Sequence, residues 1–526
     1  MFKSLLAVSL LLLLSACNSP GTPTSPKSEA AQPQQPNPDT RPPFDVTLTP
    51  EHLTLSNKQQ GKVAFTLVWN SYKGMLWHVL QQSAAAALLK AEIHKDAVGT
   101  WISVDATDVL PGEYTLGLKV NDQDNVHSII RTVRVTVAQD ASLPSIAPIN
   151  RVRLSPGQQV ILPLTITPPA NGTPLAPIIV SSPAPELLSA TLVGSELTIR
   201  ASAAALPQGL IPITVKVSAG AEAVSLRIPV EIGDLIEREY DRFNELRAQA
   251  NLPAVTFDTG ASMNCWMHGR YMMVNEIIGH NQNPALPFAS LEGLACATSS
   301  NVAWSEVPLS KLSVLTPSTS TLFTAPFHAL GMLQPTQQTV GIGVFTVASS
   351  YPNYARLGSA ITSLGGEKPL AQQMTFPGDK ATTDMSSYNG GEWPDPLTAC
   401  PDLDPQKTGL PLIAATFISG ATTATEATLA SAGQDIPVCA YGSTQYANTK
   451  DKPGDYVGGP IGAQEMGRSI LQRSGAVFMI PKRPLEGGKT YQASVKINGQ
   501  LMQWSFMTAA ALREQSLPDI TRQQIR

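Results

Sequence analysis

Residues 209–232 read GLIPITVKVSAGAEAVSLRIPVEI, and this stretch shows the pattern that dominates the chain. Apolar and polar residues alternate along two runs, 213–217 and 224–232, with a short break between them. Successive side chains of a β-strand point to opposite faces of the sheet, so a period of two indicates a half-buried strand. The stretch therefore predicts two consecutive strands with one face in a core.

Two other parts of the chain repeat this arrangement. Gly112–Val120 leads into the alternating run 133–137, and a run ending at Ile497 leads through Asn498-Gly499 into Leu501–Phe506. Asn-Gly between alternating strands is the strongest short-range hairpin signal. We therefore predict three β-sandwich modules, at 44–139, 140–233 and 401–509, which resemble the immunoglobulin-like folds of bacterial surface proteins. Their role is either structural spacing or ligand binding.

Composition agrees with a multidomain, mostly β chain. At roughly 100–200 residues per domain, 526 residues predict several domains rather than one core. Charged residues make up only 14%, while 44 prolines and 38 glycines favour short strands joined by turns. The formal net charge of −4 offers no basic surface for phosphates, which argues against a nucleic-acid partner.

The pattern changes after Asp234. Ile236, Tyr240, Phe243 and Leu246 recur at spacings of four, three and three, which predicts one face of an amphipathic helix. A second helix is predicted from about residue 259 to 278, with an apolar side rich in methionine.

The same region resembles a known family through five segments in order. They are YDRFNELRAQANLPAVTFD (240–258), HGRYMMVNEIIGH (268–280), SNVAW (300–304), PFHALGML (326–333) and VGIGV (340–344). In this order and spacing they resemble the CAP superfamily of cysteine-rich secretory, antigen 5 and pathogenesis-related 1 proteins. The resemblance implies an α-β-α sandwich with a central cleft at 234–370. Separately, the polar composition and the Pro and Gly residues of 371–400 predict a linker, and residues 510–526 form a polar tail.

The resemblance also implies a cleft with two histidines and two glutamates, which binds a divalent metal in some members. His280 and His328 match the histidines, and together they are candidate ligands for Zn²⁺ or Mg²⁺. Ser300 stands before Asn301 where the family has a glutamate, so Glu292 is the candidate replacement.

Other residues of this region have alternative interpretations. Glu306 is a second candidate for the missing glutamate, and Asn244 and Arg247 match the family's first helix. His268 is predicted to be a hydrogen-bonded packing residue. Ser300 with His280 or His328 would be an incomplete catalytic set, and the chain has neither a Gly-x-Ser-x-Gly elbow nor a His-Glu-x-x-His helix. These observations lean against an enzyme.

Cysteine usage agrees with an exported chain. Cys265, Cys296, Cys400 and Cys439 allow three pairings, and the shortest loops favour Cys265–Cys296 and Cys400–Cys439. A buried free thiol is the alternative for Cys265.

The N-terminal residues predict where in the cell the protein is located. Lys3 precedes an apolar run of residues 5–14, and Leu14-Ser15-Ala16-Cys17 resembles a bacterial lipobox. This pattern predicts a signal peptide at 1–16, a lipid anchor on Cys17 and a proline-rich tether at 17–43; an ordinary signal peptide is the alternative. Asn18 in place of Asp favours the outer membrane or the cell surface.

These patterns support three hypotheses about function. The first is a surface-tethered, non-catalytic protein that binds a lipid, another small molecule or an envelope protein. The second is a metal-assisted, peptidase-like hydrolase that uses His280, His328 and Glu292. The third is an adhesin or spacer in which the CAP-like domain is only structural.

Overall fold

The fold was analysed in a computed structural model of the chain. It describes residues 44–69, 76–80, 88–95, 99–107, 109–122, 128–365, 373–388, 390–405, 407–450, 462–512 and 523–525. The predicted signal peptide, the lipid anchor at Cys17 and the tether lie outside the described residues. Strands predominate over helices in the described part, and they form several sheets, as the alternation predicted.

The first module is a sandwich of two four-stranded sheets. The sheets have the strand orders β1-β3-β6-β5 and β2-β8-β7-β4. The strands are β1 (Phe44–Thr49), β2 (His52–Ser56), β3 (Gln60–Trp69), β4 (Leu76–Leu80), β5 (Glu92–Lys95), β6 (Thr100–Asp105), β7 (Gly112–Asp122) and β8 (Ser128–Ala138). Alternate residues such as Val133, Val135 and Val137 are buried between the sheets, so the period of two marks the core face.

The second module is built from three sheets, and seven of its nine strands have six residues or fewer. Its sheets have the orders β10-β17-β16-β13, β11-β15-β14 and β12-β9. The strands are β9 (Ser145–Ile146), β10 (Val152–Leu154), β11 (Gln159–Pro163), β12 (Ile166–Thr167), β13 (Ile179–Ser181), β14 (Leu188–Val193), β15 (Glu196–Ala201), β16 (Gln208–Ala219) and β17 (Glu222–Ile232). The stretch 209–232 forms the antiparallel hairpin β16–β17, which confirms the prediction.

The C-terminal module is also a sandwich, and it is larger than predicted. Its sheets have the orders β22-β24-β28-β27 and β23-β30-β29-β25-β26. Its elements are β22 (Met374–Phe376), β23 (Thr382–Thr383), β24 (Leu412–Ala415), β25 (Ala424–Ser431), β26 (Gln434–Asp435), β27 (Val438–Gly442), a helix at Ala463–Ser474, β28 (Ala476–Pro481), β29 (Thr490–Ile497) and β30 (Gln500–Thr508). The alternation did not predict this helix.

The structure corrects the prediction that residues 371–400 form a linker. Met374–Phe376 pairs with Leu412–Ala415, and Met385 and Tyr388 are buried in the core. The polar, Pro- and Gly-rich composition of this segment concealed the few apolar residues that fix it to the sandwich.

The three sandwiches share features of the immunoglobulin-like fold. Each ends in an antiparallel hairpin, β7–β8, β16–β17 or β29–β30, and each has an early strand that pairs in parallel with the final strand. Tyr114 donates from its hydroxyl to the Leu110 carbonyl at 2.7 Å, as in the tyrosine corner of that fold. Asn498 and Gly499 both have positive φ, as the predicted two-residue turn requires. The chain is therefore multidomain and mostly β, with immunoglobulin-like modules.

Helices cover both faces of a central sheet between the second and the C-terminal sandwich. The sheet has the order β18-β20-β21-β19-β31. The elements of this α/β domain are α1 (Leu235–Ala248), β18 (Thr256–Phe257), α2 (Thr259–Asn275), α3 (Leu291–Ala297), β19 (Ser300–Pro308), α4 (Pro317–Thr324), α5 (Pro326–Met332), β20 (Gln337–Ala348), β21 (Tyr354–Gly365) and, from the end of the chain, β31 (Gln523–Ile525). We call the helix at Ala463–Ser474 α6. A 3-10 turn lies at Leu309–Lys311 and another at Pro396–Ala399.

Alternation along β19 and β20 assigns the helices to the two faces. Val302 packs in a cluster with Cys265 of α2, whereas Ala303 packs in a cluster with α1, α4 and α5. Gly343 of β20 faces α2 so closely that a Cβ there would lie 2.1 Å from the backbone nitrogen of Trp266. Helix α2 therefore lies almost directly on the backbone of the sheet, and α1, α4 and α5 lie on the opposite face.

Both neighbouring sandwiches contribute to the packing of the α/β domain. Trp266 and Phe345 belong to the core of the second module, while α1, α4 and α5 share a core with the C-terminal module. The Arg242 guanidinium of α1 forms two hydrogen bonds with the Asp384 carboxylate, at 2.8 and 2.9 Å. The domain boundaries are thus places where hydrophobic cores continue rather than end.

Candidate functional site

His328 lies at the start of α5, and a residue of the C-terminal module holds it in place. Its Nδ1 is 2.7 Å from Glu392 Oε1, and its backbone N–H donates to the same oxygen at 3.0 Å. His328 is at the third position of α5, where a backbone N–H has no partner within the helix. Glu392 therefore caps α5 from another module and also fixes the imidazole.

Burial dominates the electrostatics of this pair. The Glu392 side chain is fully buried, and burial raises the pKa of its carboxyl group although the hydrogen bonds and charge of His328 oppose the rise. The second carboxyl oxygen, Oε2, has no hydrogen-bond partner in the described part of the chain. His328 is itself 7% exposed, so this part of the expected cleft is filled by the C-terminal module.

Glu392 was not among the predicted site residues. It follows Gly390 and Gly391, which both have positive φ, within the segment expected to be a linker. It lies 64 residues from His328 along the chain. In the sequence, Glu392 is marked only by the two glycines before it. The tertiary fold is what brings its carboxylate to His328.

The other predicted histidine and glutamate lie elsewhere. His280 is half-buried, and its Nδ1 is 3.1 Å from the Ala297 carbonyl oxygen at the end of α3. Glu292 lies in the first turn of α3, where its charge acts on Arg227 of the second module. Burial lowers the pKa of Arg227, and the Glu292 carboxylate opposes that change.

Ser300 and Asn301 begin β19 and face opposite sides of the sheet. Ser300 is buried, and its hydroxyl has no hydrogen-bond partner among the described residues. Neither His280 nor His328 thus serves as its base here. Asn301 lies beside α5, where a Cβ on Gly331 would be 3.6 Å from Asn301 Nδ2.

The residues do not fit the metal centre that the family resemblance implies. Among the described residues, no group of three or more His, Cys, Asp or Glu side chains is arranged to hold a metal ion. The Nδ1 of His328 faces Glu392, and Glu292 interacts with a cation. His280, His328 and Glu292 therefore do not form the expected ligand set.

Three further residues of the CAP-like segments have structural roles. The His268 Nε2–H donates to the Gly279 carbonyl at 2.9 Å, and the Gln282 amide donates to His268 Nδ1 at 3.1 Å, which confirms the predicted packing role. Asn244 accepts from the Val255 backbone N–H at 2.9 Å. Arg247 is buried and donates to the Met332 carbonyl at 2.8 Å.

Both favoured disulfides are present. Cys265 is bonded to Cys296, which connects α2 to α3. Cys400, at the end of the segment predicted to be a linker, is bonded to Cys439 of β27. The alternative of a free thiol at Cys265 was wrong. These bonds agree with folding in an oxidising compartment.

A separate cavity lies on the α2 face of the sheet, the face opposite His328. Its volume is about 360 Å³. Its walls are Met272, Met273, Glu276, Ile277, Ile278, Trp304, Glu306, Ser350, Tyr351 and Arg356. Apolar and polar atoms contribute similar shares of the wall, and the charged groups Glu276, Glu306 and Arg356 lie on it. A concave site of this volume with a few polar groups is a candidate small-molecule site.

Charged groups of this cavity are held by specific contacts. Arg356 donates to Glu276 Oε1 at 3.2 Å, and its guanidinium carbon lies 5.4 Å from the centre of the Trp304 ring. Glu306 is buried and accepts a hydrogen bond from the Ser349 hydroxyl. Glu306, predicted as a possible cleft glutamate, therefore belongs to this cavity and not to the histidines.

Comparisons with known proteins found similarity among solved structures. Neither a family model nor a curated protein sequence matches the chain. The BIgI domain of beta protein from S. agalactiae bound to CEACAM1 is 16% identical, covering 19% of this chain and 99% of its own, with a TM-score of 0.15. A chimeric titin Z1Z2 tandem is 11% identical, covering 36% and 99%, with a TM-score of 0.20.

A SusE-like, surface-located polysaccharide-binding protein from Bacteroides thetaiotaomicron is 15% identical, with a TM-score of 0.17. That match covers 36% of this chain and 34% of the other protein. At these TM-scores the matches carry no argument about function. None of the described helices is long and apolar enough to cross a membrane.

Proposed function

We propose that this chain is a non-catalytic binding protein, tethered to the cell envelope, whose CAP-like α/β domain takes a small amphipathic ligand. The observation that carries the proposal is the cavity on the α2 face, with about 360 Å³ of space and a wall that combines apolar side chains with three charged groups. Cavities of this size and lining suit ligands with an apolar body and one polar group. The lipobox at Cys17 supports the tether, and the five ordered segments and the helices on both faces of the sheet support the CAP-like assignment.

The packing around His328 favours binding over hydrolysis. Glu392 engages both the ring and the backbone N–H of His328, and Ser300 has no base within hydrogen-bond reach in the described structure. In Ser–His hydrolases such a base activates the serine nucleophile. In this proposal the histidine region joins two modules, and the cavity binds the ligand.

Titration calorimetry of the full chain with octyl-chain probes of different charge tests the proposal. We expect at least one probe among n-octanol, n-octanoate and n-octylammonium to bind, and Ile277→Trp to weaken it at least tenfold by filling the cavity. Ile418→Trp is the control, because Ile418 is exposed on the C-terminal module. Absence of binding by every probe, or equal loss in both variants, would contradict the proposal.

A spacer role for the immunoglobulin-like modules is compatible with this function. The first module has its own core, and none of the described residues of that core belongs to the α/β domain. We propose that it separates the binding domain from the tether. If deletion of 44–139 left probe affinity unchanged, that division of roles would be supported; a large loss of affinity would oppose it.

A further inference from the structure

The charges around the cavity do not cancel. Two carboxylates, Glu276 and Glu306, and one guanidinium, Arg356, line it. Arg356 is engaged by Glu276 and by the face of Trp304. The Glu276 side chain is 75% exposed, so this ion pair lies towards solvent. Among the described residues, Glu306 is the cavity carboxylate that forms no ion pair.

Glu306 lies where a carboxylate needs a partner. The residue is only 2% exposed, and it shares the α2 face of β19 with Trp304 because it is two positions away. The Ser349 hydroxyl donates to Oε1 of this carboxylate. A buried carboxylate with one neutral donor is under-compensated, since burial of a charge is costly unless it is paired.

The aromatic side chains favour the same sign of charge. Trp304 and Tyr351 both contribute to the wall of the cavity. The faces of aromatic rings attract cations, and Trp is the strongest of them; Arg356 already lies over Trp304 in this way. Opposite these groups, Met272, Met273 and Ile277 offer an apolar and adaptable surface.

We infer that the cavity selects an amphipathic organic cation, with an ammonium group at Glu306 and an alkyl body along Met272, Met273 and Ile277. This inference rests on the proposed function, because it names the class of ligand for the same cavity. The ammonium would donate to the Glu306 carboxylate and interact with the Trp304 ring. An anionic ligand of the same length would be repelled by Glu306, and the guanidinium on the wall, Arg356, is already paired with Glu276.

Calorimetry of the full chain with three probes of equal chain length tests the charge preference. We expect n-octylammonium to bind at least tenfold more tightly than n-octanoate, with n-octanol between them. Glu306→Gln should reduce that ratio to threefold or less, whereas Glu196→Gln should leave it unchanged because Glu196 is exposed on the second module.

The outcomes separate this inference from the proposed function. Equal or tighter binding of n-octanoate would overturn the charge preference and leave the binding function in place. Binding of none of the probes would overturn both. The comparison of probes on the unaltered chain decides the inference even if Glu306→Gln fails to fold.

Discussion

Individual residues show how differently two histidines of the same domain are used. His268 is fully buried with both ring nitrogens hydrogen-bonded in the neutral form, to Gly279 and Gln282. His328 instead faces a carboxylate, Glu392, from another module. Sequence identified both histidines, but the partners that decide their chemistry are not adjacent in sequence.

Burial of His268 predicts a loss of stability in acid. Its pKa falls from 6.5 to about 3, mainly because burial disfavours the charged ring. Between these values the unfolded chain binds a proton that the folded chain does not, so stability declines as the pH falls below about 6.5. Relative to His268→Gln, the unaltered chain should lose about 2–3 kcal/mol of unfolding free energy between pH 6.5 and 4.5.

Urea denaturation at several pH values measures this difference. Parallel pH dependence in the two proteins would show that His268 does not keep a depressed pKa. A difference in unfolding free energy between the two proteins at pH 8 reports only the loss of packing. The test is therefore how the unfolding free energy of each protein changes with pH.

At the scale of elements, close packing of α2 on the sheet depends on glycine. A Cβ on Gly343 would lie 2.1 Å from the backbone of Cys265 and Trp266, and one on Gly341 would be 2.5 Å from the Ala261 Cβ. In the sequence, the VGIGV segment (340–344) resembles a glycine-rich strand of the CAP superfamily. Its physical role is to let a helix contact the sheet backbone, which also places the end of α2 at the cavity.

Gly343→Ala should therefore separate α2 from β20. We expect a loss of about 3 kcal/mol or more, because backbone atoms cannot move aside as a flexible side chain can. Gly420→Ala is the matched control, since a Cβ there meets nothing within 4 Å. Chemical denaturation of both variants measures the effect; similar stabilities would mean that the helix is not held this closely.

At the scale of the whole molecule, the α/β domain depends on both of its neighbours. Glu231, at the end of the second module, accepts from the Ile236 N–H at the start of α1 at 3.0 Å. Glu392 of the C-terminal module caps α5 in the same way, and Asp384 holds Arg242. Helix termini that would otherwise be unsatisfied are thus completed by other modules.

A fragment of residues 234–370 should consequently fail to fold cooperatively, whereas residues 140–526, which include β31, should unfold in a cooperative transition. The short fragment would expose the core that α1, α4 and α5 share with the C-terminal module, and buried Arg242 would lose its partner. Circular dichroism during urea titration compares the two. A sharp transition of the short fragment alone would refute this dependence.

Local patterns determined most of the elements of this protein. The period of two located the final hairpin of each sandwich, the Asn498-Gly499 turn and the core face of the strands, and the change of period after Asp234 located α1 and α2. Loop length alone favoured the correct disulfides. These features depend on neighbours that are close in sequence, so the chain itself carries their signal.

Only the tertiary structure decided the sites. In the tertiary structure, the expected linker is part of the C-terminal sandwich, and Glu392 contacts His328. Glu306 lies in a cavity that neither His280 nor His328 lines. Each of these contacts joins distant segments through shared cores, where a few buried residues outweigh a polar composition. Periodicity describes which face of an element is buried, but it does not state which module will cover that face.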